Sequence, residues 1–233
     1  MQILRNVWTD LSHLFFPHVC AGCGTDNIGS SNLLCLRCLD ALPVTNFHMH
    51  SGNQVEKIFW GRLPVTHASS LCYFNSGSII QSLLHQLKYR GNKELGHYLG
   101  RIMGETLVQS NRFSKIDALI PLPLFPAREK KRGYNQAELL CNGMSEVMDV
   151  PVLSRVIRRD TETATQTKKN RIERWQNMDG RFSLIRPELI ADKHIILVDD
   201  VITTGATLEA CGQSLLSTGN TKLSIVTLAY TIK

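Results

Sequence analysis

The chemistry in this chain concentrates around Asp199 and Asp200. These adjacent carboxylates follow the apolar run "HIILV" and precede "TTGAT" at residues 203–207. An apolar strand ending in two acids has no use in a packed core, which points to a ligand. The next stretch, "ATLEACGQSLLS", reads as a helix. Its first turn would present unpaired amides and the positive end of a dipole, a ready phosphate site. Gly205 and Ala206 allow close backbone approach, while Thr203, Thr204 and Thr207 offer hydroxyl donors. Adjacent carboxylates accept hydrogen bonds from a cis-diol or hold Mg²⁺ through water. A phosphate on one side and a diol on the other describe a ribose 5-phosphate. The plainer alternative is a strand–turn–helix whose aspartates only cap, a task that one Asp would perform.

A second cluster lies near the amino terminus. Cys20 and Cys23 form one CxxC pair, and Cys35 and Cys38 form another. Four thiolates so spaced match a closed, tetrahedral structural zinc site. The rival is a disulfide or redox pair, which a reducing compartment disfavours. Four sulfur ligands leave no position for a reactive water, so such a metal serves folding rather than catalysis. The ribbon could also touch a partner or nucleic acid. Cys72, Cys141 and Cys211 stand in apolar patterns and read as inert core residues. The eight histidines show no ligand spacing.

The elements that must position these groups follow from periodicity. "ASSLCYF" (68–74) reads as a strand and "SIIQSLLHQLKY" (78–89) as a helix, with Lys88 suiting its carboxyl end. "ELGHYLGRIMGETLVQ" (94–109) reads as a helix despite three glycines. "IDALIPLPL" (116–124) is a strand ended by prolines, and "NQAELLCNGMSEVM" (135–148) a helix capped by Asn135. "KHIILVDD" (193–200) and "KLSIVTLAYT" (222–231) complete the strands. Strands alternating with helices predict an α/β fold, a parallel sheet flanked by helices. Residues 1–55 are expected to form a zinc-ribbon domain ending in a linker, "TNFHMHSGNQ", and residues 56–233 a second domain. No internal repeat or low-complexity tract is evident.

Length and composition set the outer limits. The chain has 233 residues, 43% hydrophobic and 20% charged, as expected of a globular protein. No run is long enough to span a bilayer, and the amino terminus lacks the pattern of a secretory signal, so a cytoplasmic location is expected. The net charge of +6 favours acidic partners. Residues 128–132 and 155–174 together hold eleven Lys/Arg against four Asp/Glu, more than the whole excess. They are either solvated loops or a phosphate-binding surface.

"ILVDDVITTGATL" resembles the ribose-phosphate signature of type I phosphoribosyltransferases. With the paired CxxC elements, "PLPLFPAREKKRGYNQAELL" and "TATQTKKNRIERWQNMDGRF", nearly the whole chain resembles the ComF/GntX family of bacterial proteins linked to competence and use of external DNA. The resemblance implies a type I phosphoribosyltransferase fold with a small amino-terminal zinc ribbon. It implies that Asp199 and Asp200 bind the ribose of phosphoribosyl pyrophosphate (PRPP) with Mg²⁺, and that Thr203, Thr204, Gly205, Ala206 and Thr207 hold its 5-phosphate. Pro123, Leu124, Arg128 and Arg132 would approach the pyrophosphate, and residues 160–174 would form a closing flap. Tyr134 and Trp175 are either base-stacking or packing residues. Three functions stay open: a PRPP-dependent transferase, a non-catalytic ribose-phosphate sensor, and an accessory protein that binds single-stranded DNA or a DNA-processing partner.

Overall fold

The computed structural model describes residues 18–29, 32–160 and 182–232. The expected flap lies outside them except for Asp160, as does Trp175. In chain order come α1 (Leu36–Asp40), α2 (Gln54–Phe59), β1 (Ala68–Phe74), α3 (Ile79–Tyr89), α4 (Lys93–Val108), β2 (Ala118–Pro121), α5 (Pro126–Arg132) and α6 (Gln136–Met148). A short antiparallel pair, β3 (Ile157–Arg159) and β4 (Phe182–Leu184), precedes β5 (His194–Ile202), α7 (Ala206–Leu216) and β6 (Lys222–Thr231). No helix among the described residues is long and apolar enough to cross a membrane.

The main sheet is parallel, in the order β1-β6-β5-β2. Its strands read as continuous apolar runs because helices cover both faces. On one face lie Leu83 and Leu87 of α3, Leu99 and Met103 of α4 and Leu140 of α6, against Ile196 and Val198. On the other lie Val55 and Phe59 of α2 and Leu215 of α7, against Ile195 and Leu197. Both sheet edges are covered, which removes exposed pairing templates. Val44 bridges Cys72 of β1 antiparallel, and Val152 bridges Leu119 of β2 parallel.

This connectivity creates a crevice. From β2 the chain passes through α6 to residues 151–153 on the outer side of β2, then returns as β5 on its inner side. The winding reverses between β2 and β5, and in open α/β sheets ligands bind at the carboxyl ends of such a pair. β5 runs two residues beyond the expected end, because Val201 and Ile202 pair with Ala229 and Tyr230.

The stretch expected to be a linker is instead packed. Phe47, His48 and Asn53 are buried, and Ser110 Oγ donates to His48 O at 2.8 Å. Arg112 pairs with the buried Glu56 and donates to His50 O at 2.7 Å. A polar composition suggested solvent, but these side chains satisfy one another inside the fold. The four-cysteine region is likewise seated: Leu34, Cys38 and Leu42 join the cluster that holds Leu83 and Leu87. Gln86 Nε2 of α3 donates to Ala21 O at 2.6 Å.

The glycines of α4, unfavourable for a helix in isolation, let α6 approach at backbone distance. A Cβ at Gly100 would stand 2.2 Å from Leu140 O, and one at Gly143 would stand 2.0 Å from His97 O. We predict that Gly143→Ala destabilises the protein by about 1–3 kcal/mol or more through overpacking. Asn142→Ala, one position away and exposed, should change stability by less than ~0.5 kcal/mol. Urea denaturation of both variants decides it, and equal midpoints would refute the close-approach argument.

Candidate functional site

Strand alternation sends the two carboxylates to opposite faces of β5. Asp200 points toward α3 and is only 4% exposed. Its Oδ2 lies 3.0 Å from Lys88 Nζ, an ion pair that is Coulombic rather than a well-aligned hydrogen bond. A buried carboxylate without such a partner would be costly, by several kcal/mol. Asp199 is half-buried on the α7 side, where its Oδ1 accepts from the Asp200 amide at 2.8 Å. Burial and the Asp200 charge push its carboxyl up to about 8, against the opposing pull of that amide, Lys88 and Arg159. The guanidinium of Arg159 sits 3.8 Å from the Phe125 ring centroid and 5.3 Å from that of Phe182. Its cation is therefore held between two aromatic faces, and its charge reaches Asp199.

The loop after β5 is built for close approach. Gly205 caps α7 with φ of 76° in the left-handed region. A Cβ there would stand 2.6 Å from Ile58 Cγ2, so both conformation and space require glycine. Arg62 fixes the loop from outside, donating to Thr204 O at 3.0 Å and pairing with Glu209 of α7. Thr203 and Thr204 are exposed, and Ala206 and Thr207 are half-buried. Asp199 and residues 201–208 line one small cavity of about 60 Å³. The first-turn amides of α7 have no intrahelical acceptors and are available to an anion there.

The expected residues are only partly brought together. Asp199 and residues 203–207 share the cavity, while Asp200 contacts Lys88 behind it. Arg128 and Arg132 lie on α5, after the loop that leaves β2. Arg128 stands over Phe125, and Arg132 contacts Gln136 and stands over Tyr89. Tyr134 is a packing residue: it is buried and its hydroxyl donates to Leu87 O at 2.5 Å. Sequence reasoning missed Lys88, Arg159 and Arg62 as site residues. Lys88 looked like a helix terminus, Arg159 was one of a basic run, and nothing local marked Arg62.

In the amino-terminal region the Sγ atoms of Cys20, Cys23, Cys35 and Cys38 all lie within 4.8 Å of one another. Gly24 N donates to Cys20 O at 2.8 Å, closing one knuckle, and Cys38 N donates to Cys35 O at 2.9 Å in the other. Burial pushes the Cys20 thiol up, but the amides of Cys23, Cys35 and Gly22 outweigh it and bring it down to about 6. Burial and contacts with the other three sulfurs push Cys38 up. Four converging sulfurs form a donor set that could hold one metal ion such as zinc, which would relieve this crowding. Cys72, Cys141 and Cys211 are fully buried core thiols.

The elevated Asp199 carboxyl predicts a pH dependence. Between its ordinary 3.8 and about 8, the folded chain keeps a proton that the unfolded chain releases. Stability therefore falls as pH rises through that interval. In Asp199→Asn this contribution vanishes, so the variant should gain on the wild type as pH rises. Thermal melts of both proteins from about pH 5 to about pH 9 check it. Parallel curves would refute the protonated assignment.

The phosphoribosyl transferase domain family matches residues 134–233. DNA utilization protein YhgH of Escherichia coli O157:H7 is 32% identical over 203 residues, covering 85% of this chain and 85% of that protein. Competence protein F of Haemophilus influenzae is 32% identical over 151 residues, covering 64% and 66%. Among solved structures, the glutamine PRPP amidotransferase of B. subtilis complexed with ADP and GMP aligns at a TM-score of 0.43 and 16% identity, over 61% of this chain and 30% of that one. With a parallel sheet, a matching transferase domain and an amino-terminal four-cysteine cluster, the chain has the type I phosphoribosyltransferase fold and belongs to the ComF/GntX family.

Proposed function

We propose that the crevice between β2 and β5 binds PRPP or a related ribose 5-phosphate with Mg²⁺, and that the chain acts in the uptake or use of external DNA. The process is the one in its relatives' names. The observation that carries the ligand is the cavity where Asp199 meets residues 203–207 at the start of α7. The 5-phosphate takes the α7 amides and the threonine hydroxyls. Asp199 accepts from the ribose hydroxyls, and Asp200 pairs with Lys88 behind it. Mg²⁺, held through water by Asp199, would neutralise the diphosphate. Asp199 suits that role, being half-buried at the cavity and holding a proton that a cation would displace. An acceptor that displaces pyrophosphate from C1 makes the chain a transferase. Without one it is a ribose-phosphate sensor.

A second reading, an accessory protein for single-stranded DNA, draws on a different surface. Tyr89 is 71% exposed, with the Arg132 guanidinium 6.0 Å over its ring and the His85 ring 5.1 Å away. Exposed Arg128, Lys130 and Lys131 of α5 continue the patch. Aromatic platforms among cations suit single strands.

Calorimetric titration of PRPP with Mg²⁺ into the wild type and into Asp199→Asn, Asp200→Asn tests the first reading. Saturable binding by the wild type, lost in a folded variant, is expected. No binding by a folded wild type refutes it. In that case, a salt-sensitive affinity for oligodeoxythymidine that falls in Tyr89→Ala would favour the second.

We further propose that Cys20, Cys23, Cys35 and Cys38 hold one structural Zn²⁺. Because Leu34, Cys38 and Leu42 belong to the core beneath α3, removing the metal should lower the melting temperature of the whole protein. Metal analysis should find one zinc per chain. An unchanged melt after complete chelation would contradict the proposal.

A further inference from the structure

At the amino ends of β1 and β5, opposite the crevice, ionisable groups gather around Arg112. Its Nη1 donates to His50 O at 2.7 Å and to Phe47 O at 3.2 Å. Its Nη2 pairs with Glu56 of α2 and lies 3.2 Å from Nδ1 of His67, the residue just before β1. The arginine thus fastens a strap, residues 45–53, to the start of the sheet. The strap has further ties: Thr45 N donates to Leu71 O at 2.9 Å, and Asn53 Nδ2 donates to Ala68 O at 2.8 Å. Asn53 also caps α2, accepting from the Val55 and Glu56 amides. Ile58 and Phe59 of α2 in turn crowd Gly205, so the strap bears on the loop after β5.

A guanidinium has donors only, so the contact with His67 requires an unprotonated Nδ1 that accepts, with the ring proton on Nε2. A second proton would set imidazolium against guanidinium. Glu56, the carboxylate beside them, is already committed: Oε2 accepts from Gly52 N at 2.5 Å, and Oε1 accepts from Arg112 and from Ala68 N. Burial and the Arg112 charge hold His67 below its ordinary 6.5, against the pull of Glu56 and with a further push from His194. The His194 ring lies 6.3 Å from that of His67, but it meets no such conflict. Its Nε2 faces the Ser224 hydroxyl at 2.9 Å, which can donate or accept, and its charged neighbours are Lys222 and Asp117. On the strap side, burial, His50 and Arg112 lower His48 as well.

We propose that His67 and Arg112 form an acid-sensitive latch, in which a proton on His67 Nδ1 displaces the guanidinium and frees residues 45–53 from it. Between the lowered value and 6.5 the closed latch binds fewer protons than the open one. Its stability is therefore fully present above that interval and falls as pH drops through it. The Asp199 contribution has the opposite sign, but it is common to the wild type and to variants at His67. The proposal goes beyond the ribose-phosphate reading and does not depend on it.

The test is amide hydrogen exchange on the full-length, metal-loaded protein from about pH 7.5 to about pH 5, read as protection factors so that the intrinsic pH dependence of exchange cancels. The reporters are the amides of Phe47, Met49 and His50, which donate within the strap to Thr45 Oγ1, Asn46 O and Phe47 O. On acidification their protection should fall about tenfold or more, while Leu197 and Ile225 in the sheet keep theirs. In His67→Asn, whose amide oxygen accepts from Arg112 but takes up no proton in this range, the strap should stay protected. In Arg112→Gln it should exchange readily at every pH. Both variants are first confirmed folded by their thermal transitions. The wild type supplies a second readout without substitution: the His67 ring, followed by NMR, should titrate below 6.5 and in step with the loss of strap protection. Strap protection that ignores pH in the wild type, or that falls equally in His67→Asn, overturns the latch. A His67 ring that titrates at or above 6.5 also overturns it. So does a loss shared equally by the sheet amides, which would be acid unfolding of the whole chain.

Discussion

Two carboxylates on consecutive residues at the end of a buried strand repel each other and resist desolvation, and much of the surrounding structure compensates for them. Pleating sends one to each face of the sheet, so the two meet different surroundings. On one face Lys88 reaches Asp200 from α3. On the other, Arg159 lies beside Asp199 between two aromatic rings. Burial and the Asp200 charge together push the Asp199 carboxyl well above the usual carboxylate range. A group so held gives up its proton readily when a cation or donor arrives, which suits a binding residue better than a structural cap.

That compensation ties distant parts of the chain to the site. Lys88 is useful only if α3 is fixed, and α3 is fixed partly by the four-cysteine region, through Gln86 to Ala21 O and the shared apolar cluster. A structural metal there would thus act on the crevice without touching it. The α4–α6 contact works in the same way. Gly100 and Gly143 bring the helices together at backbone distance, and Asn135 at the start of α6 donates to Leu122 O in the loop after β2. The loop after β5 is held from the opposite face, where Arg62 joins Thr204 and Glu209.

Much of this was legible in the sequence, for identifiable reasons. β1, α3, α7 and β6 follow their hydrophobic periods and end within a residue of the expected bounds. "VDDVITTGAT" and the paired CxxC elements are local signals, carried by residue types within a few positions of one another. The cations beside the acids were not legible, because Lys88 and Arg159 reach them across more than a hundred residues and across forty residues of chain respectively. The supposed linker misled because its polar residues find partners in Arg112 and Ser110, which composition does not reveal. The three glycines of α4 lowered the expectation of a helix, yet they are the condition for its packing.

The most direct test of the central claim observes the phosphate itself. Ribose 5-phosphate titrated with the folded, metal-loaded protein in Mg²⁺ should show a single ³¹P resonance that shifts or broadens saturably, as the phosphate enters the loop at the start of α7. A ³¹P resonance unchanged at equimolar protein and ligand in the millimolar range would contradict a ribose-phosphate site in this crevice.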